Sequence, residues 1–276
     1  MSRIPDVQFK LNGLVSALTH LPSVRPVRYG LRGLSKFAAP GPIRTAFGYT
    51  VDFTGHYMQR TAISGDYEPD TIDVLRRFAR GTVIDVGAHQ GFIAMALAQT
   101  SPRVIACEPN PITLARLKAN LALNPQLPIT IVEAAISDKA STMDLWVTNG
   151  GHENGSLIHY PDVANPRQLP NANYAVAVTT LDSLEVPGHV TLIKVDTEGN
   201  EYEVLLGASN LIATHRPAIC FEMSMSVYMW KARSAKDIME FFSGRNYRVT
   251  QIQDDGTLKD FVGFDRRVDN LIALPK

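Results

Sequence analysis

No stretch of the first 50 residues is apolar enough over its length to cross a bilayer. Such a helix needs about 20 consecutive apolar residues, and in the first 50 residues the apolar positions are scattered and broken by Pro22, Pro26, Pro40 and Pro42. The start, MSRIPDVQFK, also lacks the apolar core of a signal peptide. Cysteine is nearly absent: Cys107 and Cys220 lie in apolar, strand-like runs, which excludes a disulfide framework and leads us to expect a reducing, cytoplasmic setting.

An excess of one charge is missing as well. The 27 Lys and Arg balance 27 Asp and Glu, but unevenly. Residues 1–50 hold seven basic residues, among them Lys10, Arg25, Arg28, Arg32, Lys36 and Arg44, against the single acid Asp6. The rest is mildly acidic, with 20 basic and 26 acidic residues. A broad basic surface for nucleic acid is therefore not expected. We divide the chain into a basic arm (1–47) and one large domain (48–276) carrying a polar, glycine-bearing insert at about 149–173. A solvated extension packed on the domain is favoured for the arm over peripheral contact with an anionic membrane. With 45% hydrophobic residues, the domain can bury a sizeable core.

What is present centres on TVIDVGAHQGF, residues 82–92. An apolar run ends in Asp85 and then in Gly87 and Gly91 before a second apolar pattern begins, which reads as strand, tight turn and helix. Ligands of parallel α/β sheets bind beyond such strand ends. The dinucleotide pattern G-x-G-x-x-G is missing from this turn, so a pyrophosphate site is the poorer fit.

Strand and helix then alternate. VIACE is the second strand, Asn110 and Pro111 open a helix, ITIVEAAISD is a third strand, and TMDLWVT and YAVAVTTL flank the insert. TLIKVD is the fourth core strand, and TEGNEYEVLLGASNL reads as one helix. PAICFEM, YRVTQI and NLIAL complete the sheet, with a helix capped near Ser234 and Asp237 before YRVTQI. GYTVDFTGHYMQ, ahead of all these, reads as a strand or hairpin. Glu108 follows Asp85 by 23 residues at the end of the second strand, where a carboxylate can accept hydrogen bonds from the ribose of an adenosine.

The runs GDYEP, VIDVGAHQGF, CEPNP, AAISD, TTLDSL and IKVDTEGNEYEVLLGA, in this order, resemble the FkbM family of S-adenosylmethionine-dependent methyltransferases between about Gly65 and Glu222. His89 and Gln90 stand where the family often has Asn-Ile or Asn-Xaa. The resemblance implies the class I methyltransferase fold: a Rossmann-like, mostly parallel sheet of seven strands with helices on both faces and the last strand antiparallel. It implies methyl transfer to a hydroxyl of a small molecule, a sugar or a macrolide-type product. It places the cofactor on the turn (Asp85, Gly87, Ala88, His89, Gly91, Phe92), on Glu108 with Pro109 and Asn110, near Ala135, and on Glu68 and Asp196.

For the chemistry, Lys194, Asp196 and Glu198 alternate and are expected on one side of a strand end. Asp196 is the leading base for the acceptor hydroxyl, with His152 of the insert as a second, lid-borne base. Asp196 with Glu222 is a candidate Mg2+ site. Two other classes remain: a nucleic-acid methyltransferase, disfavoured because D-T-E-G follows the fourth strand in place of the Pro-Pro-aromatic motif, and a non-catalytic cofactor-binding module.

Overall fold

The chain was studied as a computed structural model that describes residues 40–54, 57–65, 67–148, 155–158, 170–224, 235–263 and 268–276. It begins with a hairpin of β1 (Gly41–Arg44) and β2 (Thr50–Phe53). Alternation buries Ile43, Val51 and Phe53 on one face. The hairpin stops at Phe53, and the Tyr57–Gln59 part of the expected strand is instead the start of helix α1 (Tyr57–Ser64). The arm boundary drawn at residue 47 falls inside this hairpin, while residues 1–39 lie outside the described residues.

Helix α2 (Pro69–Phe78) follows with the punctuation its sequence shows: Pro69 in the first turn, Asp70 beside it, and Arg76 and Arg77 in the last turn. Its Ile72, Val74 and Leu75 are buried. The chain then runs through β3 (Thr82–Val86), α3 (Phe92–Leu97), β4 (Arg103–Cys107), α4 (Pro111–Ala122) and β5 (Ile129–Val132). Three short parallel pairings, β3 with β4, β4 with β5 and later β3 with β10 (Val190–Val195), build the middle of the main sheet.

Between β5 and β10 lies a second, four-stranded sheet of β6 (Ala135–Ile136), β7 (Ser141–Thr148), β8 (Gly155–Ser156) and β9 (Pro170–Thr179), in the order β6-β9-β7-β8. ITIVEAAISD is therefore two strands in two sheets, parting at the exposed Glu133. After β10 the expected single helix is also two, α5 (Glu201–Leu206) and α6 (Ser209–His215). They part at Gly207, where a Cβ would sit 2.0 Å from the Ser137 carbonyl oxygen. This close approach to the end of β6 admits only glycine.

The chain closes with β11 (Ala218–Ser224), α7 (Ala235–Ser243), β12 (Tyr247–Ile252), β13 (Leu258–Asp260) and β14 (Val268–Pro275). The main sheet has the order β13-β12-β14-β11-β10-β3-β4-β5. The last strand is antiparallel to both neighbours, as expected. The count is not: the sheet has eight strands rather than seven, because Asp255 and Gly256 turn the chain back and add β13 as a short edge strand. The Asp255 carboxylate accepts from Thr257 N at 2.9 Å, and Gly256 has φ +73°.

Alternate residues of the central strands feed two cores. Val83, Leu192, Cys220 and Ile272 pack with α2 and α3 on one face. Ile84, Val86, Ile193, Val195 and Phe221 pack with α5, α6 and α7 on the other. Both cysteines are free and buried. Among the described residues no helix is long and apolar enough to cross a membrane.

Candidate active site

The ends of β3 and β10 touch. Gly87, with φ +80°, has no room for a Cβ, which would lie 1.8 Å from the Asp196 carbonyl oxygen. The turn is tied on its other side too, because Gly87 N and Ala88 N both donate to Cys107 O at 3.0 Å. Gly91, at φ +85°, starts α3 where a Cβ would meet Leu117 at 2.4 Å.

Beyond these strand ends opens a cavity of about 340 Å³. The strand order sets its two sides. Glu108, at the end of β4, stands on one side of the glycine turn; Asp196 and Glu222, at β10 and β11, stand on the other. Its wall includes Glu68, Gly87, Ala88, His89, Phe92, Glu108, Pro109, Asn110, Ala135, Lys194, Asp196 and Glu222. Asp85 and Gly91 are not on that wall. Asp85 is fully buried beneath it, 3.6 Å from Lys194 Nζ, and Gly91 shapes the turn from behind. His152 lies outside the described residues.

Glu108 is already well used. Its Oε1 accepts from Asn110 N at 2.8 Å and Thr113 Oγ1 at 2.9 Å, and its Oε2 accepts from His89 N at 2.6 Å. A carboxylate oxygen has two lone pairs, so Oε2 keeps one acceptor position. Burial raises the pKa of Glu108, and these three hydrogen bonds counter it.

Across the turn sits a group of acids around one lysine. Lys194 Nζ is 3.0 Å from Asp196 Oδ2 and 3.6 Å from Asp85 Oδ1. Burial, the largest single influence on Lys194, acts to lower its pKa, but Asp196, Asp85, Glu68 and Tyr67 together hold it well above the ordinary value. Burial first, then neighbouring acids, raises the pKa of Glu198 and of Glu222. Glu68 is raised by burial, with Lys194 opposing. The Asp196 side chain is 26% exposed, so it is reachable from the cavity.

A Mg2+ ion at Asp196 and Glu222 is not supported. The Lys194 ammonium already sits on Asp196. Among the described residues no group of three or more His, Cys, Asp or Glu is arranged to hold an ion.

Several wall residues escaped the sequence reading: Met58, Tyr67, Gln90, Asn200, Leu145 and Gly155 from the second sheet, and Leu157 just after it. The motif TEGNE also conceals a structural device. Glu201, only 2% exposed, accepts from Thr197 N, Thr197 Oγ1 and Gly199 N at 3.1, 3.0 and 2.9 Å, so the acid at the start of α5 winds the loop after Asp196 around itself. Asn200 Nδ2 donates to Ile136 O at 2.9 Å and joins that loop to the second sheet. Five non-glycine residues among those described have positive φ, and three of them, Glu68, His89 and Glu198, line the cavity. Such strain costs on the order of 1–3 kcal/mol per residue and gathers at functional sites.

The sequence profile described as "Methyltransferase FkbM domain" matches residues 85–249. The hexuronic acid methyltransferase AglP of Haloferax volcanii is 29% identical over 174 residues, covering 60% of this chain and 67% of the relative. Among solved structures, a methyltransferase FkbM from Methylobacillus flagellatus aligns with a TM-score of 0.48 and 16% identity, over 97% of this chain and 59% of that one. This chain thus spans less than two thirds of that protein. An S-adenosylmethionine-dependent methyltransferase from Clostridium acetobutylicum aligns with a TM-score of 0.44 and 9% identity, over 75% of this chain and 92% of that one.

Proposed function

Because this chain belongs to the FkbM methyltransferase family, we propose that it moves the methyl group of S-adenosylmethionine to a hydroxyl oxygen of a small molecule, with a sugar, a glycoside or a glycosylated or polyketide natural product as the acceptor class. One observation supports the reading: a single cavity is lined by the Glu108 carboxylate on one side of a glycine turn and by a reachable carboxylate, Asp196, on the other. The similarity to a protein named for hexuronic acid supports a sugar.

The residues present fit such a cofactor. Gly87 brings bare backbone to the cavity wall, and Glu108 Oε2 keeps an acceptor position for a ribose hydroxyl. Ala135 and Pro109 offer small apolar surface beside Glu108. When bound, S-adenosylmethionine supplies an electrophilic methyl group on a positively charged sulfur. An aliphatic hydroxyl is a poor nucleophile, so a group that takes its proton contributes roughly a hundredfold to ten-thousandfold. Asp196 takes that role. Lys194 stays protonated and is a positioning residue, fixing the Asp196 carboxylate through the 3.0 Å contact. Glu198 and Glu222, whose pKa values are raised, retain protons more readily and hydrogen-bond the acceptor.

The test has two stages. Calorimetry with S-adenosylmethionine measures cofactor binding, and transfer of a labelled methyl group to a panel of glycosides measures activity. We expect binding, and transfer that falls by about 100- to 10,000-fold in Asp196→Ala. Binding with no transfer to any hydroxyl compound would favour the non-catalytic module.

A further inference from the structure

Among the described residues, the acceptor side of the cavity holds more acids than bases. Glu68, Asp196, Glu198 and Glu222 are on its wall, and Lys194 is the single lysine or arginine among the lining residues described. Lys194 is also committed, since its ammonium is already paired with Asp196 and with the buried Asp85. The acids are fixed in place as well. Glu222 is held within β11, paired in register with Asn270, and Glu198 sits in a loop whose carbonyl accepts from Ser156 Oγ at 2.8 Å. A sulfonium cofactor adds one positive charge and still leaves acids in excess. Burial and mutual crowding make these acids hold protons, so an ammonium would favour their ionised forms and pair with them, whereas an incoming carboxylate would add to the crowding beside Asp196.

From this placement we infer that the acceptor carries no anionic group, and that an amine-bearing polyol of the amino-sugar class is preferred over its neutral counterpart and strongly over the matching uronic acid. The inference rests on the reading of this cavity as the acceptor site for methyl transfer. It makes Glu68 and Glu222 specificity-determining residues, because an ammonium beside them favours their ionised forms and gains two counter-charges, which a neutral or anionic group does not.

Three probes of one ring geometry separate the possibilities: the methyl glycosides of glucosamine, glucose and glucuronic acid. Binding of each to the full chain saturated with S-adenosylhomocysteine is measured by calorimetry near neutral pH, and labelled methyl transfer is measured in parallel. The expected order is amine, neutral, acid, with the amine favoured over the acid by about tenfold or more. Glu222→Gln narrows that gap by about threefold or more, as does Glu68→Gln, with circular dichroism confirming that each variant is folded. The inference is overturned if the uronic acid binds as well as the amine, if none of the three binds, or if both folded variants keep the full gap. The expected binding order without transfer to any probe upholds the charge preference and counts against the methyl-transfer reading instead.

Discussion

Lys194 is the residue on which the site's charges are hung. Its side chain is 8% exposed and lies between Asp85, which has no exposed surface, and Asp196. Removing one partner of a buried pair leaves the other as an uncompensated charge, which costs about 3–5 kcal/mol. Lys194→Met keeps the length and removes the charge, so we expect a loss of that size in urea unfolding; a loss below about 1 kcal/mol would mean that Asp85 is neutral in the native protein. Glu108 makes a second case. Hydrogen bonds to a charged group are worth roughly 1.5–3 kcal/mol, so Glu108→Ala should weaken S-adenosylmethionine binding by roughly tenfold to a hundredfold in calorimetry. An unchanged affinity would remove Glu108 from the cofactor site. The same substitution releases the amides of His89 and Asn110, so the fold of the turn is measured alongside.

The junction of β3 and β10 joins the cofactor turn to the proposed base. Gly87 packs so closely on the Asp196 carbonyl that one methyl group cannot enter without driving the two strand ends apart. Its φ of +80° adds the usual strain of a side chain in the left-handed region. Gly87→Ala is therefore expected to cost about 2–4 kcal/mol of stability and to weaken cofactor binding at least tenfold, read by thermal melting and calorimetry. Wild-type values in both would show that the loop after Asp196 moves freely. This junction was legible in part: the apolar run of β3, its closing acid and the spacing of Gly87 and Gly91 announce strand, turn and helix, and the alternation downstream announces a parallel sheet. The four-stranded side sheet was not legible, because the alternation in TMDLWVT and YAVAVTTL marks strands without naming their partners. Nor were the break at Glu133, after which β6 pairs with β9, the break at Gly207, set by its contact with Ser137 about 70 residues away, or β13, which depends on one Asp-Gly turn. The wall residues Tyr67 and Asn200 sit inside recognisable motifs, yet their facing the cavity follows from tertiary placement alone.

The chain's formal net charge is zero, yet five of its 27 acids line one cavity and Asp85 is buried beneath it. Burial is the leading cause of a raised pKa at Glu68, Asp85, Glu108, Glu198 and Glu222. A carboxyl whose pKa is higher folded than unfolded binds protons preferentially in the native state. Its contribution is complete below the unfolded value, 4.5 for a glutamate, and is lost as pH rises through the folded value. Lys194 does not offset this, because its own raised pKa gives stability that persists until pH approaches the ordinary lysine value of 10.5. The cofactor-free protein should accordingly melt at progressively lower temperature between about pH 5 and pH 9, although its net charge near neutrality would suggest little dependence. Glu222→Gln removes one of the acids without changing the shape of the wall, so its melting temperature should fall less steeply over that range. Saturating S-adenosylmethionine brings a positive charge to the same acids and binds the native state alone, so it should raise the melting temperature most at the alkaline end. A melting temperature that rises with pH in the cofactor-free protein would mean that the acids around Lys194 are already ionised in the native state, against the raised values that their burial gives them.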